Sequence, residues 1–249
     1  MEPIVKPTEM QYEILNPAMH TVFRLDGHRF SKFVKLINLT KPFDDRFTIS
    51  MKNTLMKCYD MFGFSMGFVG SDEISLYLKP KTTEEIEKND SLLFNGRIQK
   101  MVSLLAGKVS VVFYNEIKSL LDLPDDIFPH FDCRVFQFST FDEVKKNFSE
   151  RILFTMKNSR MMLCQHYYTQ KELKNISSLD AVEKLKIEKG IDYNEIVHSD
   201  NRVGNVLTLK SIECTKDILI KGVSSTVTFS RKIPVLQNLS PSEMLEIEI

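Results

Sequence analysis

The sequence predicts an α+β domain on the ferredoxin-like βαββαβ plan, extended at its C-terminal side by further helices and strands. Three observations predict it: short strands that end on Asp or Gly, helical repeats before and after them, and a hairpin in the middle. Residues 20–25, HTVFRL, read as the first strand and run into the turn Asp26-Gly27. After Lys41-Pro42, Phe43, Phe47, Leu55, Tyr59 and Phe62 recur at helical spacing, and Pro42 suits the first turn of this crossover helix. FSMGFV (64–69) and EISLYLK (73–79) flank Gly70-Ser71-Asp72 as a hairpin. The charged stretch 80–91 reads as a solvated loop. From Ile98 to Leu120, apolar residues three and four apart predict the clearest helix in the chain, with Gly107 marking a close packing contact. RVFQF (134–138) is the fourth strand, and Thr140 with Glu143 forms a capping box that opens another helix. The helices are expected on one face of an antiparallel sheet.

Further on, Ser178 is expected to cap a helix over Leu179, Val182 and Leu185 that ends at Lys189-Gly190, and Val206 to Cys214 look strand-like. Residues 216–249, with Pro234 and Pro241, read as a loosely held tail, leaving one domain over 1–215 with its core at about 20–140.

Lys+Arg and Asp+Glu are both 33 in 249 residues, a formal net charge of +0 that excludes charge-driven coating of nucleic acid. The four cysteines are scattered and form neither a CxxC pair nor a disulfide framework, which fits a reducing compartment. The chain has no 18-residue apolar run and its first ten residues lack the h-region of a secretory signal. The expectation is an intracellular, cytoplasmic protein with no membrane contact, an organelle being left open.

Asp26 at a strand end and Asp72 in the hairpin would lie side by side in such a sheet. Two close carboxylates invite Mg²⁺, which takes oxygen ligands and is completed by water and substrate phosphates. A pair of such ions stabilises the attacking and leaving oxygens of a phosphoryl or nucleotidyl transfer. Glu73 is placed to complete or orient this shell. Read from the residues alone, the same Asp-Gly and Gly-Ser-Asp runs also serve as ordinary turns. Around Asp26, the run GHRFSKF offers backbone N–H groups for phosphates, with Arg29 and Lys32 as cations, while His28 reads equally as a surface residue or a ligand. Between 151 and 189, eight Lys/Arg face four acids, and His166, Tyr167 and Tyr168 lie in the same stretch, so the segment is either an RNA-docking surface or a solvated helix face.

The runs RLDGHRFSKF, KPFDDRF, GSDEISLYL, FNGRIQKMVSLLAGKVS, FDCRVFQF, KNSRMMLCQHYYTQKEL and EKGIDYNE occur in the order found in tRNA-His guanylyltransferase-like proteins, which the chain resembles over about 20–205. The likeness is to the bacterial-type branch, with DGxxFSKF, KPFD and NS, more than to the eukaryotic branch with HINNLYN. The resemblance implies a polymerase-palm fold, 3′-to-5′ nucleotide addition, two Mg²⁺ ions, ATP and GTP or another NTP as substrates, and a homotetramer acting on the tRNA 5′ end. It implies Asp26, the Gly27 carbonyl and Asp72 as metal ligands, with Glu73 supporting catalysis. It implies nucleotide contacts from Gly27, His28, Arg29, Phe30, Ser31, Lys32, Lys41, Asp44, Ser71 and Asp72. Arg151, Lys157, Asn158, Ser159 and Arg202 fall at positions expected to face RNA, and Arg134 at a further family arginine. The family often has a histidine at Ser31, an acid at Phe154 and a base at Val203, and these departures favour templated 5′-end repair over dedicated G addition to tRNA-His.

Overall fold

The computed structural model describes residues 13–88, 92–220 and 223–248. Its strands are β1 (His20–Gly27), β2 (Met66–Gly70), β3 (Glu73–Leu78), β4 (Phe131–Phe138), β5 (Asn205–Ile220) and β6 (Val223–Gln237). They form one antiparallel sheet in the order β4-β1-β3-β2-β5-β6. The first four strands reproduce the predicted βαββαβ plan, with β5 and β6 added beside β2. The helices are α1 (Phe30–Leu36), α2 (Asp45–Phe62), α3 (Thr83–Glu87), α4 (Ile98–Leu120), α5 (Phe141–Tyr167), α6 (Ser178–Lys189), α7 (Tyr193–Ile196), α8 (Ser199–Val203) and α9 (Pro241–Leu245). The helices beyond the palm pack a smaller core of their own, around Leu163, Tyr168, Ala181, Leu185 and Tyr193.

Helices cover both faces of the sheet, not one. Successive strand residues point to opposite sides, so Phe23, Leu25, Ile74 and Leu76 meet α2 and α4 through Leu55, Leu105, Val109 and Phe113. Val22, Met66, Phe68 and Tyr77 meet α5 through Val144, Phe148 and Ile152 on the other side. Every residue of β2 is buried, a pattern that requires both faces to be covered.

The C-terminal segment differs most from expectation. The boundary expected near 215 falls inside β5, which pairs with β6 from Val206↔Gln237 to Ile220↔Val223. Pro234 is tolerated because β6 is the edge strand, and Pro241 occupies the first turn of α9, whose N-cap Ser240 forms a capping box with Glu243. Met244 is fully buried against the α5 face and Ser149 Oγ donates to the Pro241 carbonyl at 2.9 Å, so this segment is docked. Three smaller differences follow. Thr82 and Glu85 cap α3 within the expected loop, of which residues 89–91 lie outside the described residues, as do the first ten residues read for a signal. Ser177, not Ser178, caps α6. A Cβ built at Gly107 meets nothing within 4 Å, so no close contact requires that glycine.

Candidate active site

Asp26 stands near the end of β1 and pairs in register with Glu73 on β3 and with Asp132 on β4. The Gly27 N–H donates to the Asp72 carbonyl at 3.0 Å, which ties the β1 end to the β2–β3 turn. A Cβ at Gly27 would lie 2.5 Å from the Phe30 ring, so the Asp-Gly pair is a packing requirement as well as a turn. In the turn, Ser71 takes φ 55°, the left-handed region that costs a non-glycine residue energy and is often kept at functional sites. Its hydroxyl donates to Asp72 Oδ1 at 3.0 Å. Burial first, and then the charges of Asp72, Asp132 and Glu73, hold the Asp26 carboxyl above its ordinary value. A site that strains to keep a carboxylate ionised is one a divalent cation would relieve. Among the described residues no group of three or more His, Cys, Asp or Glu forms a protein-only metal cage. The donors present fit Mg²⁺, which is commonly held by one or two carboxylates together with substrate phosphates.

Beside this turn opens a cleft of about 550 Å³, within the roughly 300–1,000 Å³ of small-molecule sites. Ser71, Asp72, Thr155, Asn158 and Asn201 form its polar end, and Phe30, Val34, Pro42, Phe43 and Phe47 an apolar wall. Ser31, Lys41, Asp44, Ser159 and His166 also line it. α5 presses closely on the turn, since a Cβ at Gly70 would lie 2.4 Å from Thr155 Oγ1. Of the expected site residues, Phe30, Ser31, Lys41, Asp44, Ser71, Asp72, Asn158 and Ser159 thus come to one cleft from segments far apart in the chain, whereas Asp26, Gly27 and Glu73 stand beside it and His28, Arg29, Lys32, Arg151, Lys157 and Arg202 are not in its lining.

Several of them do other work than the resemblance implied. Asp44 caps α2: its carboxylate accepts from the Thr40 N–H at 2.8 Å, from the Arg46 N–H at 3.0 Å and from Arg46 Nη2 at 2.6 Å. The Arg46 guanidinium chiefly, with the two backbone donors, brings its carboxyl down to about 2 against the counteracting effect of burial. It shapes the Thr40–Pro42 rim. Glu73 and Arg151 form an ion pair with each other. Ser159 is buried, its hydroxyl accepting from Tyr193 at 3.1 Å. Arg202 Nη1 donates to the Asn194 side chain at 3.1 Å. His28, Arg29, Lys32 and Lys157 are exposed, and Arg29, at φ 54°, precedes α1 without a side-chain cap. α1 occupies most of the run that the sequence alone offers as a glycine turn. In the basic segment, Tyr167 is exposed, but Tyr168 is buried with its hydroxyl on Glu188 at 2.9 Å, so it is not available for stacking.

Sequence reasoning missed Asp132, Arg24 and Thr155. Asp132 fell outside a strand begun at 134; extending the alternation to Phe131 would have set it opposite Asp26. Arg24 stands two residues before Asp26 in β1 and so shares its face, a period-2 signal the strand offered, whereas Thr155 carries no local signal because only the packing of α5 on the sheet brings it to the turn.

A β4-β1-β3-β2 palm with paired aspartates beside a nucleotide-sized cleft is the architecture of a nucleotidyltransferase. Residues 2–139, more than half of the chain, match the family model described as Thg1, tRNAHis guanylyltransferase. The chain belongs to this family, whose enzymes are nucleotidyltransferases that act on tRNA. An uncharacterized protein of Acanthamoeba polyphaga mimivirus is 31% identical over 155 residues, 55% of this chain; the match spans about half, 52%, of that relative's length. A tRNA(His) guanylyltransferase of Kluyveromyces lactis is 28% identical over 232 residues, 81% of this chain and 92% of the relative. Among solved structures, a bacterial tRNA(His) guanylyltransferase (Thg1)-like protein in complex with ATP superposes with a TM-score of 0.71 at 25% identity, covering 80% of this chain and 82% of that one. Among the described residues no helix is long and apolar enough to cross a membrane.

Proposed function

We propose that this protein adds nucleotides in the 3′-to-5′ direction to the 5′ end of tRNA, copying a template base and so repairing truncated ends. The observation that carries the reading is that Asp72, whose charge acts on Asp26 near the end of β1, lines the cleft together with Ser71 and Asn158. Asp26 and Asp72, with the Gly27 carbonyl, would hold two Mg²⁺ ions, which when bound acidify the attacking hydroxyl and offset charge on the leaving phosphate. ATP first adenylylates the RNA 5′ phosphate with release of pyrophosphate, and the 3′-OH of the incoming NTP then attacks that phosphate and expels AMP. The apolar wall from Phe30 to Phe47 takes the base, and the polar end at Ser71 and Asn158 orients ribose and phosphates. Exposed Arg29 and Lys32, beside the backbone from Gly27 to Phe30, meet the triphosphate. The exposed basic side chains of 151–189 guide the RNA. A homotetramer in the cytoplasm is the setting this reading expects.

Incubating the protein with labelled 5′-truncated tRNA, ATP and each NTP singly, then sizing the product, tests it. Template-dependent extension is expected, and absence of any extension would overturn the reading. A second reading, G addition to tRNA-His, is favoured by the name of the yeast relative. It predicts a single G on full-length tRNA-His in the same assay and no extension of other tRNAs.

A further inference from the structure

On the α5 face of the sheet, Glu73 lies between two arginines. Arg151 grips it as a fork, Nε to Oε1 at 2.8 Å and Nη2 to Oε2 at 2.5 Å. Arg24 Nε lies 3.5 Å from Oε1, and Arg24 Nη2 donates to Asn147 Oδ1 at 2.8 Å. Asn147 and Arg151 are four residues apart on α5 and therefore share one side of the helix. The helix is thus fastened to β1 and to β3 at two successive turns. Aromatic rings stiffen both links, Phe136 under Arg24 at 4.9 Å and Phe154 against Arg151 at 4.4 Å. The Glu73 side chain is only 10% exposed and both its oxygens are engaged, which leaves little for a cation or a proton. One and two turns beyond Arg151, the same helix presents Thr155, Asn158 and Ser159 to the cleft, opposite the turn that Glu73 closes.

We propose that Glu73 and Arg151 are positioning residues. Their ion pair sets where α5 stands relative to the Ser71–Asp72 turn, and so the width of the cleft and the placement of Thr155 and Asn158 against the nucleotide. Glu73 then neither binds metal nor transfers a proton, and Arg151 is held back from RNA phosphates. The proposal rests on the nucleotide reading of the cleft, and its test separates the two. Glu73→Gln, Arg151→Lys and the double variant are compared with the wild type for ATP binding by calorimetry, for the Mg²⁺ midpoint of nucleotide addition, and for hydrogen exchange along α5. Lysine keeps the charge but loses the two-pronged geometry. Each single variant is expected to weaken ATP binding about tenfold while the Mg²⁺ midpoint stays within about twofold, and the double variant to be no worse than the weaker single, because both remove one link. Exchange should quicken over 151–159 and stay unchanged in α4. A Mg²⁺ midpoint that moves in Glu73→Gln but not in Arg151→Lys would make Glu73 a ligand and overturn the proposal. Multiplying effects, or unchanged binding and exchange, would overturn it as well. Should Glu73→Gln not fold, Arg151→Lys carries the comparison alone. Wild-type protein that binds no ATP would remove the functional reading instead, with exchange along α5 still deciding the clamp.

Discussion

On the α2–α4 face of the sheet, Phe23, Leu25, Ile74 and Leu76 meet Leu55, Leu105 and Phe113, hydrocarbon against hydrocarbon. On the α5 face the same two strands carry Val22 and Tyr77 at one end, and Arg24, Glu73 and Asp26 at the other. The first face is held by area and packing, which do not depend on the ionisation of any group. The polar end of the second is held by charge and direction, and it lines the α5 side of a cleft whose opposite wall, with Phe30 and Phe47, belongs to the first. One sheet thus supports a side held by packing and a side whose geometry depends on ion pairs, and the cleft opens where the two meet.

The sharpest way to break this comparison is to remove a carboxylate. Asp26→Ala and Asp72→Ala should each lower nucleotide addition more than about 100-fold, beyond the 10–100-fold typical for outer partners of a metal site, with little change in unfolding temperature. Retained activity in a folded variant would move the site elsewhere. Next comes the packed face: Phe113→Ala should cost about 3–5 kcal/mol in urea unfolding, since the ring is fully buried among Phe30, Phe47 and Phe131. An equal loss of activity at low temperature, where the variant is folded, would blur the division between faces. Asp44 gives a pH test. Its folded value of about 2 lies below the ordinary 3.8, so its stabilising contribution is complete above about pH 4 and is lost as pH falls through 2. Asp44→Asn should therefore be less stable at pH 7, with a shallower decline from pH 4 to 2 in thermal unfolding curves. The smallest effect sharpens the contrast from the other side. Gly107→Ala, in open space on α4, should gain up to about 1 kcal/mol and leave activity unchanged.

Much of this was legible in the residues. Strand alternation and caps gave β1 to β4, the full span of α4, and the Asp26 and Asp72 positions, because these depend on local period and turn chemistry. What was not legible depends on partners distant in sequence. The burial of Val22 and Tyr77 follows from α5 covering a second face of the sheet, where helices were expected on one face only. Pro234 and Pro241 looked like breakers, although an edge strand and a helix first turn both accept proline. Glu73 beside Asp72 looked like a third ligand, and only the fork from Arg151 gives it another role.

The joining of β5 to β2 has a consequence for how the chain acquires its shape. β2 meets β3 across a two-residue turn, but its other neighbour comes only with Asn205, Val206 and Leu207, more than 130 positions later. During synthesis the palm's four strands are therefore complete while β2 still presents an unpaired, apolar edge, and such an edge is a template for pairing with other chains. A chain cut before Asn205 would keep that edge permanently. The distal hairpin is thus a late-arriving seal on the nascent sheet.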